Sequence, residues 1–357
     1  MAQINVAETG AETVAGFEVV HADVLRFFPE LVADLGGDPE KLLQQVGLDA
    51  SSLSAGKSTY RLFVGLLEHA AAELGRPDFG MCLAMRQGGS SVSGPMGTVM
   101  KNSNTLGEAL DYVQKHSRAH SLAARIRLEP RLESHSVFVG HDILLDRLPN
   151  KQQAIEQVLL LGHLNALEIT GGKARVRQVL FRHQPLSPLS TYRRYFGCDV
   201  RFDQQKDGIV FLQSDLLCPI VARDARLYET TTSFIDSNFT CLQPPMHAQV
   251  RGVILEVLGS ESCSNEQVAS ELHVHPRTLH RRLKDEGTSF QEIKDAFRRD
   301  VALYYLQQTK LDLTQVAQKV GYAEHSVLTR SCLRWFSASP RQVRSRRSKT
   351  TQSFRHD

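Results

Sequence analysis

Ten side chains in the last third of this 357-residue chain are hydrogen-bond donors at helical spacing: Arg277, Thr278, His280, Arg281 and Lys284, then His325, Ser326, Thr329, Arg330 and Arg334. Guanidinium, ammonium, imidazole and hydroxyl groups in such rows can donate to base edges and to phosphate oxygens. Arg281 and Arg330 fall on equivalent outward turns of their rows, where a guanidinium could span guanine O6 and N7. The chemistry expected is recognition of a polyanion rather than bond making or breaking.

Two short units must position these rows. In the first, Val268, Ala269 and Leu272 form an apolar face, a break follows at His273 to Pro276, and Leu279 and Leu283 begin a second face. Pro276 suits the first turn of the second helix, where its missing N–H would have no intrahelical partner. Shifting Val268–Ala269 by 48 residues gives Val316–Ala317, with Gly321 as the break. Each unit reads as helix, turn, helix, the second helix offered to a major groove. Ser264 with Gln267 predicts a capping box before the first unit. Between the units, Ile293, Phe297, Val301, Tyr304 and Tyr305 stripe a helix over about Phe290 to Gln308. Such a helix can pack against both units and set their separation.

These residues resemble the DNA-binding domain of AraC/XylS-type transcription regulators over roughly a hundred residues, the specific feature being both motifs in order. The first motif runs on through Leu283-Lys284-Asp285-Glu286-Gly287-Thr288-Ser289-Phe290. The second ends Trp335-Phe336-Ser337-Ala338-Ser339-Pro340-Arg341-Gln342-Val343-Arg344. That ending is similar to the family's G-x-S-P-x-x-Y-R, with Ser337 and Val343 departing from it, and Cys332 stands where the family buries a Phe. The resemblance implies double-stranded DNA at a promoter or operator as partner, contact with RNA polymerase, and activation, with repression or autoregulation left open.

Charge separates the chain in the same place. From Gln243 onward there are 18 Lys and Arg against 12 Asp and Glu, whereas the preceding residues hold 24 against 27. The polyanion partner therefore belongs to the C-terminal third. No apolar run approaches the roughly 18–20 residues of a membrane helix, so no membrane partner is expected. The first residues, MAQINVAETGAETVAG, carry neither Lys nor Arg nor a compact apolar block, which predicts no secretory or transit peptide and a cytoplasmic protein. Six cysteines without C-x-x-C spacing argue for free thiols over a zinc finger or a disulfide framework.

Before Gln243 the pattern is mixed. Helices are expected over Val19 to Leu35, Asp38 to Val46, Tyr60 to Leu74, Thr105 to His120 with Asn104 as cap, and Asn150 to Ile169. Strands are expected at Ala123–Leu128, Ser136–His141, Arg175–Arg182, Asp199–Phe202 and Gly208–Leu212. The Gly-Pro segment Gly88 to Gly97 reads as a loop. The details resemble the arabinose-binding-like effector domain of one AraC-type subgroup. The matching pieces are Gly94-Pro95-Met96-Gly97 with Thr105-Leu106-Gly107-Glu108-Ala109-Leu110, and Tyr195-Phe196-Gly197-Cys198-Asp199-Val200-Arg201-Phe202 with Leu216-Leu217-Cys218-Pro219.

The expected fold class is thus an α+β (mixed α/β) effector domain over 20–235, a linker at 236–247 around Gln243-Pro244-Pro245, and an all-α DNA-binding domain over 248–347. The two helix-turn-helix motifs lie at 265–286 and 313–336. Residues 348–357 read as a basic tail without regular structure. A small-molecule effector of unknown identity is implied for the first domain, and pairing into a homodimer is left open.

Three patterns imitate other chemistry. Gly56-Lys57-Ser58 ends like a phosphate-binding loop, but Ser51 occupies the position of its first glycine and no strand leads into it. Gly89-Ser90-Ser91-Val92-Ser93-Gly94 lacks the G-x-S-x-G spacing of a nucleophile elbow. His116 and His120 lie one helical turn apart without an acidic or Cys companion, and a metal site needs three or four ligands. No catalytic set, metal site or cofactor-binding pattern is expected. An enzyme or DNA-repair protein using a DNA-binding module for delivery, and a ligand-independent architectural DNA binder, remain the competing readings.

Overall fold

A computed structural model describes residues 16–20, 23–47, 59–148, 150–239, 242–257 and 263–352. The chain divides into two compact units, one formed by Met1–Ile143 and Lys151–Pro244, the other by Leu144–Asn150 and Pro245–Asp357. The phosphate-loop look-alike at Gly56-Lys57-Ser58 lies outside the described residues, as does Cys241.

In the first unit the helices are α1 (Phe28–Asp34), α2 (Pro39–Gln45), α3 (Tyr60–Glu73), α4 (Phe79–Gln87), α5 (Gly94–Asn102), α6 (Leu106–His116), α7 (Gln152–Ile169), α8 (Leu189–Phe196) and α9 (Ala225–Phe239). The strands are β1 (Ala124–Arg131), β2 (Ser136–Ile143), β3 (Gln178–Leu180), β4 (Asp199–Arg201) and β5 (Gly208–Leu212), in the sheet order β1-β2-β5-β3-β4. Only β3 and β4 run parallel. Pro130 is tolerated inside β1 because that strand forms an edge and needs no second row of bonds. Pairing Ile126 with His141 and Val139 with Ile209 puts one alternating set of side chains on a common face, while Phe138, Leu180 and Val210 form a separate cluster.

The long helix α7 is buried along most of its length and packs against α3, α4 and β5. Gly80 permits the approach of α4, since a Cβ there would lie 2.1 Å from the Gln153 carbonyl oxygen. The expected loop at Gly88 to Gly97 is a 3-10 turn at Ser90–Val92 followed by the start of α5. Gly-Pro opens that helix instead of breaking one, because Pro95 in the first turn has no N–H to leave unpaired. The expected helix over Val19 to Leu35 begins only at Phe28; Val19 and Val20 make isolated β-bridges to Thr59 and Ser121. The cap of α6 is Thr105, whose hydroxyl accepts the Glu108 N–H at 3.2 Å, and Asn104 donates through its amide to the Glu108 carboxylate. Helices α4, α8 and α9 were not legible in the pattern. In α9 a run of Thr and Ser separates Leu227 and Tyr228 from Phe234 and Ile235, and only Ile235 is buried.

The second unit contains α10 (Met246–Val257), α11 (Asn265–Glu271), α12 (Pro276–Asp285), α13 (Phe290–Gln308), α14 (Leu313–Val320), α15 (His325–Phe336) and α16 (Pro340–Gln352), the last carrying helix into the tail expected to lack regular structure from 348. The expected linker at 236–247 is narrowed at both ends, since α9 runs to Phe239 and α10 opens at Met246. Helix α13 packs against α10, α14 and α16. Its 19 residues extend about 28 Å at 1.5 Å per residue. Ala302, Tyr305 and Leu306 from its second half share a buried cluster with Val316, Ala317, Val320, Leu328, Cys332 and Val343. Arg251 of α10 and Asp300 of α13 form a buried ion pair at 2.8 Å.

Candidate nucleic-acid interface

Each small unit is assembled from the same local parts. Ser264 caps α11 by accepting the Gln267 N–H at 3.2 Å. The second copy completes the reciprocal box, Asp312 accepting from the Gln315 N–H at 2.8 Å while Gln315 accepts from the Asp312 N–H at 3.0 Å. At the turn, the Val274 N–H donates to the Ala269 carbonyl and the Tyr322 N–H to the Ala317 carbonyl, both at 2.9 Å. The shift of 48 residues thus extends through the end of the first helix. His273 and Gly321 occupy the same left-handed corner, with φ of 52° and 80°. The second helices are related by 49 instead, because their N-caps are His275 and Glu324. The second turn is one residue longer.

A left-handed backbone costs a residue with a Cβ roughly 1–2 kcal/mol. Ser337, the C-cap of α15, has φ of 49° at the position where the resemblance noted above has glycine. His273→Gly and Ser337→Gly are each expected to raise the stability of the second unit by about 1 kcal/mol. Trp335, the chain's single tryptophan, reports the denaturation of this unit directly. A lowered midpoint in either variant would mean that the side chain's contacts outweigh the backbone strain. Val343, the other departure, is 1% exposed and belongs to the core of this unit.

The shift of 49 superposes the buried faces of the two presented helices, Leu279 on Leu328 and Leu283 on Cys332, all of them 0–1% exposed. Burial pushes the Cys332 thiol up to about 11, so it stays a neutral apolar filler at neutral pH. On the opposite face of α12 stand Arg277, Arg281 and Lys284, all exposed; His280 is exposed at the side and Thr278 is half-buried. On α15 the exposed set is His325, Ser326, Arg330, Leu333 and Arg334, with Thr329 half-buried. Neither Arg281 nor Arg330 forms an ion pair or side-chain hydrogen bond with another described residue, which leaves both guanidinium forks available.

Three expected donors are engaged. Ser326 Oγ donates to the Glu324 carboxylate at 2.9 Å, and Thr329 Oγ1 donates to the His325 carbonyl at 3.1 Å. Arg334 is paired with Asp295 of α13 and lies over the Trp335 ring, while Trp335 Nε1 donates to the second Asp295 oxygen at 2.7 Å. That arrangement ties α15 to α13. Arg334 corresponds to Asp285 in the first copy, whereas Lys284 corresponds to Leu333, which is 52% exposed. Leu333 was not singled out among the donors. Its signal lay in the 49-residue register, which only the N-caps reveal.

Glu286, just past α12, anchors the start of α10 by accepting the Met246 and His247 backbone N–H groups at 2.6 and 2.9 Å. Burial would raise its carboxyl, but the His247 side chain and then these N–H groups hold it below the usual range, favouring the anion that complements a helix N-terminus. His116 bonds the Tyr112 carbonyl and faces Asp236 at 3.6 Å. Among the described residues no three His, Cys, Asp or Glu side chains are grouped to hold a metal ion, and no helix is long and apolar enough to cross a membrane.

Residues 36–220 match the arabinose-binding N-terminal domain of AraC transcription regulators, and residues 268–346 match a helix-turn-helix domain family. The HTH-type transcriptional regulator VirS of Mycobacterium tuberculosis is 32% identical over 335 residues, covering 91% of this chain and 96% of its own length. The ornithine utilization regulator of Pseudomonas aeruginosa is 25% identical over 325 residues, covering 88% and 93%. The crystal structure of the regulator CdpR from Pseudomonas aeruginosa aligns over 85% of this chain and 97% of its own, with 22% identity and a TM-score of 0.41.

Proposed function

The chain belongs to the AraC-type transcription regulators with an arabinose-binding-type N-terminal domain, and we propose that α12 and α15 enter successive major grooves of one operator. The supporting observation is the 49-residue equivalence of the two presented helices on either side of a single long helix. In this reading Arg281 and Arg330 each read a guanine edge, Arg277, His280 and Lys284 hold phosphates or neighbouring bases, and His325 donates in the second groove, where the Ser326 and Thr329 hydroxyls, their protons committed within the chain, act as acceptors. Arg334 positions α15 through Asp295 and makes no base contact. Leu333 packs against a thymine methyl, the one apolar feature a major groove presents.

Selection of bound sites from random DNA tests this assignment. Two short conserved blocks are expected, their centres one helical turn, about 10–10.5 bp, apart. A single block, or none, would remove α15 or both helices from base reading. Replacing thymine by uracil in the block read by α15 is expected to weaken binding about two- to fourfold, the worth of one buried methyl, and to have no effect on Leu333→Ala. An equal loss in both proteins would place the methyl against another residue.

Regulation follows from the first unit. It binds a small molecule, and the bound state shifts DNA affinity and contact with RNA polymerase at promoters that the protein activates. Leu227 and Phe234, seven residues apart on α9 and 46% and 49% exposed, form an apolar edge suited to a second copy of the chain. A homodimer would select the two-block pattern twice, a monomer once.

A further inference from the structure

The first unit encloses a cavity of about 140 Å³ between one face of the sheet, helix α7 and helices α5 and α6. Ile126, Val139 and Ile209 line it from the sheet and Met100 from α5, and no Asp, Glu, Lys or Arg is among its lining residues. Tyr60, Ser93, Ser117 and His120 also reach the wall, and three further polar groups there are buried with an atom left unpartnered. His141, Gln157 and Asn165 are 5%, 0% and 5% exposed, and His141 Nδ1, Gln157 Oε1 and Asn165 Oδ1 have no hydrogen-bond partner. The Gln157 amide is oriented by its donor end, which bonds Gln87 Oε1 at 2.7 Å and the Val24 carbonyl at 3.4 Å, so the oxygen is the end left over. His141 Nε2 is paired with the Tyr60 hydroxyl at 2.8 Å. Burial pushes the His141 imidazole down to about 4, so the ring is neutral at physiological pH.

Burying a polar group without a partner costs free energy, and burying an unpaired charge costs far more. A pentose carries oxygen on every carbon and would strand most of its hydroxyls against Ile, Val and Met. A carboxylate would meet no Lys or Arg, with only the His120 imidazole of the lining able to offer a positive charge. An apolar cavity of roughly 150 Å³ accommodates a molecule the size of benzene. Resting on the reading of this unit as the effector domain, we propose that the cavity binds a small uncharged alcohol or phenol, its hydrocarbon ring or chain against the apolar wall and its hydroxyl on the Asn165–Gln157 side. The hydroxyl donates to an amide oxygen, and Asn165 supplies the orienting acceptor.

Calorimetry on the full-length chain with phenol, cyclohexanol, benzoate and L-arabinose tests the assignment. Phenol and cyclohexanol are expected to saturate one site per chain and to raise the first unit's melting temperature by about 5 °C at a hundredfold excess over Kd. Benzoate is expected to bind at least tenfold more weakly, and arabinose not to saturate the site. In Asn165→Leu, which keeps the bulk and removes the acceptor, phenol should weaken about three- to tenfold while benzene binds as before. Arabinose or benzoate binding as tightly as phenol, no saturation by either alcohol, or a preference for phenol over benzene untouched by Asn165→Leu would each overturn the proposal. Should that variant fail to fold, the four probes on the unaltered protein still decide. Operator retardation on the same preparation separates the two readings. Selective DNA binding without probe binding removes the cavity assignment alone, whereas probe binding without selective DNA binding removes the regulatory reading and leaves the cavity standing.

Discussion

Replacing Arg281 by Ala is expected to cost about 1–3 kcal/mol on the selected operator, and Arg330→Ala a similar amount, each relaxing discrimination only in its own block. The two positions lie on separate helices with no shared partner, so their costs should add, and the double variant should lose about 2–6 kcal/mol of specific binding. The premise is geometric: each guanidinium lies opposite a buried pair, Leu279 with Leu283 or Leu328 with Cys332, and each is unengaged by other described residues. Arg334→Ala should behave differently, since its side chain is committed to Asp295. It should lower stability and leave the sequence preference of the folded protein intact. Competition against scrambled blocks at matched salt checks all three. If Arg281→Ala and Arg330→Ala weaken random and selected DNA equally, both residues are phosphate contacts and sequence is read elsewhere.

Asp300→Ala is expected to destabilise the second unit by about 3–5 kcal/mol, because it leaves a buried guanidinium without its counter-charge. Arg251 is 4% exposed, lies over the Phe297 ring at 5.2 Å and bonds Asp300 through Nη2, while its Nε and Nη1 have no partner. Burial already pulls the guanidinium below its ordinary value, and the charge of the Asp300 carboxylate and its hydrogen bond oppose that pull. Asp300 also accepts the Arg147 backbone N–H at 2.9 Å and the Arg299 side chain at 3.3 Å, so the substitution removes an acceptor from three donors at once. Changing both members of the pair, Arg251→Met with Asp300→Leu, should restore most of the loss by removing both buried charges. Urea denaturation followed through Trp335 gives the numbers. A loss below 1 kcal/mol for Asp300→Ala, or a double variant less stable than the single one, would show that the pair is solvated.

What could be read in advance was what repeats at short range. Val268, Ala269, Leu279 and Leu283 are buried because their spacing puts them on one face, and the same spacing recurs in Val316, Ala317 and Leu328. Helix α3 was legible for the same reason, with Phe63, Leu66, Leu67 and Ala70 all 0% exposed. The hidden helices had a different character. Gly80 interrupts the α4 pattern yet is required by the approach of Gln153, and Gly94-Pro95 carries the same letters whether it breaks a helix or begins one. A local pattern cannot separate those cases, because the deciding contact comes from a distant segment.

The candidate interface divides along the same line. Periodicity and charge by themselves determined that two helix-turn-helix units lie in the C-terminal third, which residue types they present, and that a basic balance accompanies them. Those properties depend on backbone hydrogen bonds and side-chain faces set within a few residues. Tertiary structure decided which donors are available. It paired Arg334 with Asp295, 39 residues earlier, and exposed Leu333 through a turn one residue longer. It also brought His141 and Gln157 to one apolar cavity. The physical reason is that a side chain's freedom is settled by what packs beside it, and in a folded chain the neighbours come from segments whose separation no sequence period records.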